Sequence, residues 1–153
     1  MKVYRTAGIT AVWRYMSNVD NHAISYVNFP LRVLGYILGI LDPNSVETIA
    51  QRTKLIDEFI KKLKPKYIVE IGAGFSSRAK RFDNIKCYEL DLPYFTKKKN
   101  NITSFEIGKD NLNLDIKNAL FIVEGVTMYL QKWQVIDLLK QIKQYKGYLL
   151  IDF

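Results

Sequence analysis

Cysteine and histidine are nearly absent from this chain. Its 153 residues include one of each, Cys87 and His22. A single cysteine excludes an intrachain disulfide, which fits a reducing compartment such as the cytoplasm. His22 falls in the N-terminal region, where we expect a surface or capping residue and not a general base. We therefore predict a cytoplasmic protein and assign no metal site.

Long apolar runs are absent as well. Residues 1–7 lack the apolar stretch and cleavage signature of a secretory signal. The most apolar region, 27–41, is fifteen residues long and is interrupted by Asn28, Pro30 and Arg32. A membrane-spanning helix needs about 20 apolar residues. We expect a buried or lid-like helix here, with an interfacial membrane contact as the alternative.

Acidic residues are outnumbered by basic ones. The chain has 15 Asp and Glu against 23 Lys and Arg, a net charge of +8. This balance favours anionic partners such as nucleic acid, acidic lipid, or carboxylate and phosphate ligands, but it is not specific, and a solvated lysine-rich surface is the preferred interpretation. The hydrophobic fraction of 48% and the length are typical of one globular domain.

The remaining sequence alternates between helical and strand patterns. Residues 1–43 are predicted to be helical, and the best-defined helix follows Asn44, a predicted N-cap, and ends before Pro65. A short helix is predicted over 76–82, and another over 131–145. Five short apolar runs predict strands, at 67–71, 86–90, 102–107, 119–124 and 148–151. Strands that alternate with helices predict an α/β fold with a mostly parallel five-stranded sheet and helices on both faces.

In the last predicted helix, the apolar residues Trp133, Ile136 and Leu139 are expected to face the core, with Leu138 and Ile142 on the flank.

The first two predicted strands end in residues suited to a nucleotide. Gly72 and Gly74 follow the first strand, where glycines let the backbone approach a ligand, although a tight strand-to-helix turn would also use them. Asp91 ends the second strand and could accept hydrogen bonds from both ribose hydroxyls. The alternative for Asp91 is a helix cap before Pro93.

The fourth predicted strand ends in Glu124. A carboxylate at the carboxyl end of an apolar central strand lies where ligands bind in open α/β sheets. Such a charge is costly unless it is paired or used, and the alternative is a glutamate neutralised by a nearby lysine.

Several segments together resemble one family. They are 69–74, 88–93 and 124–130, the last with the sequence Glu-Gly-Val-Thr-Met-Tyr-Leu. In this order they resemble the leucine carboxyl methyltransferase-like family of S-adenosylmethionine-dependent O-methyltransferases, and 124–130 is the most particular to it. The segment 52–60 resembles the family's helix before the first strand. The resemblance implies a Rossmann-like class I methyltransferase fold with an N-terminal helical lid.

The resemblance also implies roles for single residues. Arg52 would form a salt bridge with the methionine carboxylate of S-adenosylmethionine, and Glu124 would pair with its ammonium group. Gly72 and Gly74 would pass under the cofactor, and Asp91 would hold the ribose. The other predicted cofactor-binding residues are Glu70, Ala73, Glu89 and, on the adenine side, Asp110.

Tyr129 is the candidate catalytic residue. It follows the fourth strand, where it would orient the substrate. The alternative is a core tyrosine with a bonded hydroxyl. The implied reaction is an in-line attack of a substrate oxygen on the sulfonium methyl group. A carboxylate substrate needs no general base, whereas a hydroxyl substrate does.

The chain also departs from the family. The family's sheet has seven strands, and the strands predicted here number five. We predict one domain, with a lid at 1–43 and a core at 44–153 that is truncated after the fifth strand. The chain is then either an O-methyltransferase acting on a carboxyl or hydroxyl group, or a catalytically incomplete cofactor-binding protein. An exposed fifth strand could pair with another copy or a partner chain.

A nucleic-acid methyltransferase is the third hypothesis, based on the net charge of +8. Such enzymes carry an Asn- or Asp-Pro-Pro-aromatic stretch after the fourth strand, and residues 124–126 stand in that place. We do not expect a nucleic-acid substrate.

Overall fold

The computed structural model describes residues 3–152, which form two compact units. The helical unit comprises the chain up to Leu63 together with Gly74–Phe82. The sheet unit comprises Lys64–Ala73 and the chain from Asp83 onward. The predicted division into a lid at 1–43 and a core at 44–153 stays a prediction.

The helical unit consists of four α-helices and one 3-10 helix. They are α1 (Val3–Met16), a 3-10 helix (Ala23–Tyr26), α2 (Phe29–Leu41), α3 (Pro43–Leu63) and the short α4 (Arg78–Arg81). Helix α2 packs closely on α1 through glycines. A Cβ atom at Gly35 would lie 2.8 Å from the Cβ of Val12, and one at Gly39 would lie 2.9 Å from the Sδ of Met16. These glycines therefore permit the close approach of the two helices.

Helix α3 begins two residues earlier than predicted, because Asp42 caps it in place of Asn44. The Asp42 carboxylate accepts the backbone N–H of Ser45 at 3.1 Å and the Ser45 hydroxyl at 2.6 Å. Pro43 fits the first turn, where no hydrogen-bonded N–H is needed. The N-cap predicted at Asn44 is therefore wrong.

The sheet unit contains five strands that are all parallel. They are β1 (Tyr67–Ile71), β2 (Lys86–Asp91), β3 (Ile102–Ser104), β4 (Leu120–Val123) and β5 (Tyr148–Ile151). Their order across the sheet is β3-β2-β1-β4-β5. The predicted α/β class with a Rossmann-like parallel sheet is confirmed. Every predicted strand is present, and the third is shorter than predicted.

Helices α5 (Pro93–Thr96) and α6 (Lys132–Lys143) complete the sheet unit. On α6, Leu138 and Ile142 pack into a core with strand residues such as Val69 and Phe121. The prediction for α6 is wrong in its orientation, because Trp133, Ile136 and Leu139 are exposed. The buried face lies between Leu138, Ile142 and Tyr145, about one residue round the helix from the predicted one.

Within residues 3–152, no helix has the length and apolar character that crossing a membrane requires.

Candidate functional site

Three predicted site residues lie level with one another across neighbouring strands of the sheet unit. Ile71 pairs with Leu90, so the next residues, Gly72 and Asp91, are level. Glu70 pairs with Ile122 on the other side, so Gly72 is also level with Glu124. At a strand spacing of about 4.8 Å, Asp91 and Glu124 lie about 10 Å apart with the glycine between them.

This row lies at the point where the strand order reverses. From β1 the chain moves through β2 to β3 on one side, and β4 and β5 lie on the other side. In open parallel sheets, the crevice for a ligand opens beyond the carboxyl ends of the strands at this reversal. Asp91, Gly72 and Glu124 therefore occupy the position in this topology where a ligand is expected.

Backbone conformation and backbone hydrogen bonds stabilise the turn at Gly72. Gly72 has a φ of 74°, in the left-handed region that favours glycine. Its N–H donates to the carbonyl of Leu90 at 2.8 Å, and the N–H of Ala73 donates to the same carbonyl at 3.2 Å. A Cβ atom at Gly72 would collide with the side chain of Val126. Backbone conformation and packing thus explain this glycine without a ligand, and they also bring the turns after β1 and β4 together.

Asp91 is buried at the end of β2. Its Oδ1 accepts the N–H of Leu92 at 2.7 Å. The N-cap of α5 is Leu92 and not Asp91. The alternative interpretation of Asp91 as a helix cap is therefore wrong.

Glu124 is buried at the start of a turn that Asp152 holds in place. The carboxylate of Asp152 accepts the N–H of Gly125 at 2.7 Å, and its backbone carbonyl accepts the hydroxyl of Thr127 at 2.6 Å. Gly125 has a φ of 68°. Asp152, which follows β5, thus fixes the backbone that carries Glu124. No local sequence pattern indicates this role, because the two partners are 27 residues apart.

Glu70 and Glu89 are paired across β1 and β2 and are both buried. Since side chains alternate along a strand, both lie on the face of the sheet opposite Leu90. Glu89 forms an ion pair with Lys99, which is itself buried. The role of Glu89 in this structure is thus to hold the segment after α5. Lys99 was not a predicted site residue. Three lysines stand side by side at 97–99, and nothing in the sequence distinguishes the one that is buried.

The remaining predicted residues of this unit lie in loops. Asp110 is exposed, and its carboxylate accepts the N–H of Glu106 at 2.7 Å, which closes a local turn after β3. Tyr129 ends a 3-10 helix, Thr127–Tyr129, and is partly exposed. Within residues 3–152 its hydroxyl makes no hydrogen bond, so the alternative of a core tyrosine with a bonded hydroxyl is wrong.

Arg52 and Gly74 belong to the helical unit. Arg52 is half-buried on α3. Gly74 has a φ of 51° and is buried in the turn that follows β1. Their predicted contacts with a cofactor stay predictions.

A buried charge network in the helical unit was not expected from the sequence. The carboxylate of Asp57 on α3 accepts Arg78 Nε at 3.2 Å and forms an ion pair with Arg81. Asp20 accepts two hydrogen bonds from Ser77. These acids hold the chain that follows the glycine turn. Sequence reasoning could have found Asp57, which lies on the buried face of α3 between Ile56 and Ile60.

The described part of the chain contains no group of three His, Cys, Asp or Glu side chains that could hold a metal ion.

Comparisons of this chain with known protein families, with characterised proteins and with solved structures gave no match. The resemblance to the leucine carboxyl methyltransferase-like family therefore stays a prediction.

Proposed function

We propose that this chain binds S-adenosylmethionine and transfers its methyl group to a carboxyl or hydroxyl oxygen. The observation that carries the proposal is the level row of Asp91, Gly72 and Glu124 where the strand order reverses. An acid stands on each side of the glycine turn, at the edge of the sheet where a ligand is expected.

The two acids suit two separate groups of that cofactor. At the end of β2, the Asp91 carboxylate can accept hydrogen bonds from both hydroxyls of a ribose. Across the turn, the Glu124 carboxylate can accept an ammonium group, and a charge-assisted bond of this kind is stronger than a neutral one. A dinucleotide has a ribose but no ammonium group. The pair of acids therefore favours S-adenosylmethionine over NAD.

Tyr129 is the residue that we propose acts on the substrate. Its position just after the Glu124 turn puts a hydroxyl without an internal partner beyond β4. We propose that this hydroxyl donates to the substrate and orients its attacking oxygen. Because methyl transfer depends mainly on holding the reacting groups in line, an orienting hydroxyl contributes directly to the rate.

The test is calorimetry of S-adenosylmethionine and of adenosine with three variants. Asp91→Asn should weaken both ligands by about 10- to 100-fold, because both contain the ribose. Glu124→Gln should weaken S-adenosylmethionine by a similar factor and leave adenosine unchanged. Asp83→Asn, at an exposed acid of the same unit, is the control and should change neither. No binding of S-adenosylmethionine at about 1 mM would refute the proposal.

A second candidate function is a cofactor-binding protein without catalysis that joins another chain. The observation that favours it is the position of β5 at the edge of the sheet, since an edge strand presents unpaired backbone groups. Incubation with S-adenosylmethionine labelled in the methyl group separates the two candidates. Transfer to small carboxylic acids, or to protein in a cell extract, supports the enzyme, and binding without transfer supports the second candidate.

We place this activity in the cytoplasm. The thiol of Cys87 is half-buried and is the chain's single sulfhydryl, which suits a reducing compartment.

A further inference from the structure

The most unusual feature of the described surface is the exposed apolar face of α2. Gly35 and Gly39 face α1, and the opposite side of α2 carries large apolar side chains alone. This face, called here the α2 outer face, consists of Phe29, Val33, Leu34, Ile37, Ile40 and Leu41. Phe29, Ile40 and Leu41 are 75%, 73% and 74% exposed. Exposed apolar patches of this kind mark interaction sites.

We propose that the α2 outer face docks on the surface of an anionic lipid membrane. Helix α2 has 13 residues and is about 20 Å long, too short to cross a bilayer. A short helix with one wholly apolar side can instead lie in the plane of the interface, with that side among the acyl chains. This proposal does not rest on the proposed methyltransferase activity.

The charge of the helical unit favours an anionic surface. Its residues include eleven Lys and Arg against five Asp and Glu. Neither α1 nor α2 contains an acid; of their basic residues, Arg5 is exposed and Arg32 half-buried, whereas Arg14 is buried and does not contribute at the surface. Each basic residue near an anionic leaflet adds roughly 1 kcal/mol of attraction. The same charge would repel a second copy of the unit, so self-association through this face is disfavoured.

Aromatic residues border the face as well. Tyr15 of α1 and Tyr36 of α2 pack edge to face with ring centroids 6.5 Å apart, and Tyr15 is partly exposed. Tyrosines are enriched where one end of the ring is apolar and the other is hydrated, as at a lipid headgroup. The apolar face, the basic unit and the bordering tyrosines thus point to the same occupant.

The test is co-sedimentation of the full chain with lipid vesicles. Binding to vesicles of phosphatidylcholine with phosphatidylserine should exceed binding to phosphatidylcholine alone and should weaken as salt screens the charges. The variant Ile37→Gln with Ile40→Gln should bind about 100-fold more weakly, since each isoleucine loses apolar burial. Ile136→Gln is the matched control, because Ile136 is a similarly exposed isoleucine on a helix of the sheet unit. It should bind like the parent chain.

A second measurement does not depend on a polar substitution. Phe29→Trp should show a blue-shifted fluorescence with phosphatidylserine vesicles after subtraction of the parent chain's signal. Absence of vesicle binding by the parent chain overturns the proposal, and so does equal binding by the double glutamine variant. Concentration-dependent dimers that the same double variant abolishes would also overturn it, in favour of a second copy on this face.

Discussion

Asp20 and Ser77 are joined by two hydrogen bonds inside the helical unit. The Ser77 N–H donates to Asp20 Oδ2 at 2.9 Å, and the Ser77 hydroxyl donates to Oδ1. The same carboxylate accepts the N–H of Ala23 at 3.2 Å. One buried acid therefore fixes both the start of a 3-10 helix and the chain that follows the glycine turn after β1.

Replacing Asp20 by alanine should lower the free energy of unfolding by about 3 kcal/mol or more. The buried donors of Ser77 and Ala23 lose their acceptor, and Arg81, whose Nε lies 3.8 Å from Asp20 Oδ1, loses an opposite charge. Thermal denaturation followed by circular dichroism measures the change. Asp83→Ala, at an exposed acid, is the control. Equal losses in the two variants would contradict the role assigned to Asp20.

The Glu89–Lys99 pair should behave as a buried ion pair. Lys99→Met should destabilise the fold by about 3–5 kcal/mol, because it leaves the Glu89 carboxylate buried without this cation. Adding Glu89→Leu should restore most of that loss, since two apolar side chains then replace two charges. Chemical denaturation of the single and double variants gives the interaction energy. Lys98→Met, at the exposed neighbour, should change stability by less than about 0.5 kcal/mol.

Gly72→Ala should destabilise the turn after β1 by about 1–3 kcal/mol. Two causes act together, namely the φ of 74° and the collision of the new Cβ with Val126. The double variant Gly72→Ala with Val126→Ala separates them, because it relieves the collision and leaves the backbone conformation strained. Urea denaturation should show that Gly72→Ala costs less stability in the Val126→Ala background than in the parent chain, but that it still costs some. Full recovery would mean that the positive φ costs nothing.

The Asp42 cap should make the start of α3 sensitive to acid. Two hydrogen bonds from Ser45 hold the pKa of Asp42 below its usual value of 3.8. The bond from the Ser45 hydroxyl has the larger effect, and the bond from its N–H has the smaller one. Because the pKa is lower in the folded state, the cap stabilises the helix above the unfolded pKa, and this contribution is lost as pH falls through the folded pKa. A carboxyl titration by NMR measures the shift.

Ser45→Ala should raise the pKa of Asp42 toward its usual value, because the hydroxyl that stabilises the carboxylate is gone. Ser25→Ala, in a different helical segment, should leave the pKa of Asp42 where it is. A pKa of Asp42 that Ser45→Ala does not move would show that the hydroxyl is not the cause.

Much of the fold followed from local patterns. Each of the five short apolar runs that predict strands became a strand, and the signal is clearest for β1 and β4, whose residues are almost all buried. The positions of Asp91 and Glu124 at the ends of their strands were also expected, but their alignment with Gly72 depends on the strand order, which the sequence did not predict. Helix orientation was less predictable. Trp133 and Leu138 both lie in an apolar stretch of α6, and only the packed core selects Leu138.

The sequence by itself determined the α/β class, the parallel sheet, and the acids and glycines at the ends of its strands. The reason is that strand-forming runs and turn residues act over a few neighbouring positions. The tertiary structure alone decided the partners of the buried charges, such as Ser77 for Asp20, which lies 57 residues away. It also decided that the apolar side of α2 is exposed, because glycines elsewhere on that helix select the face that packs against α1.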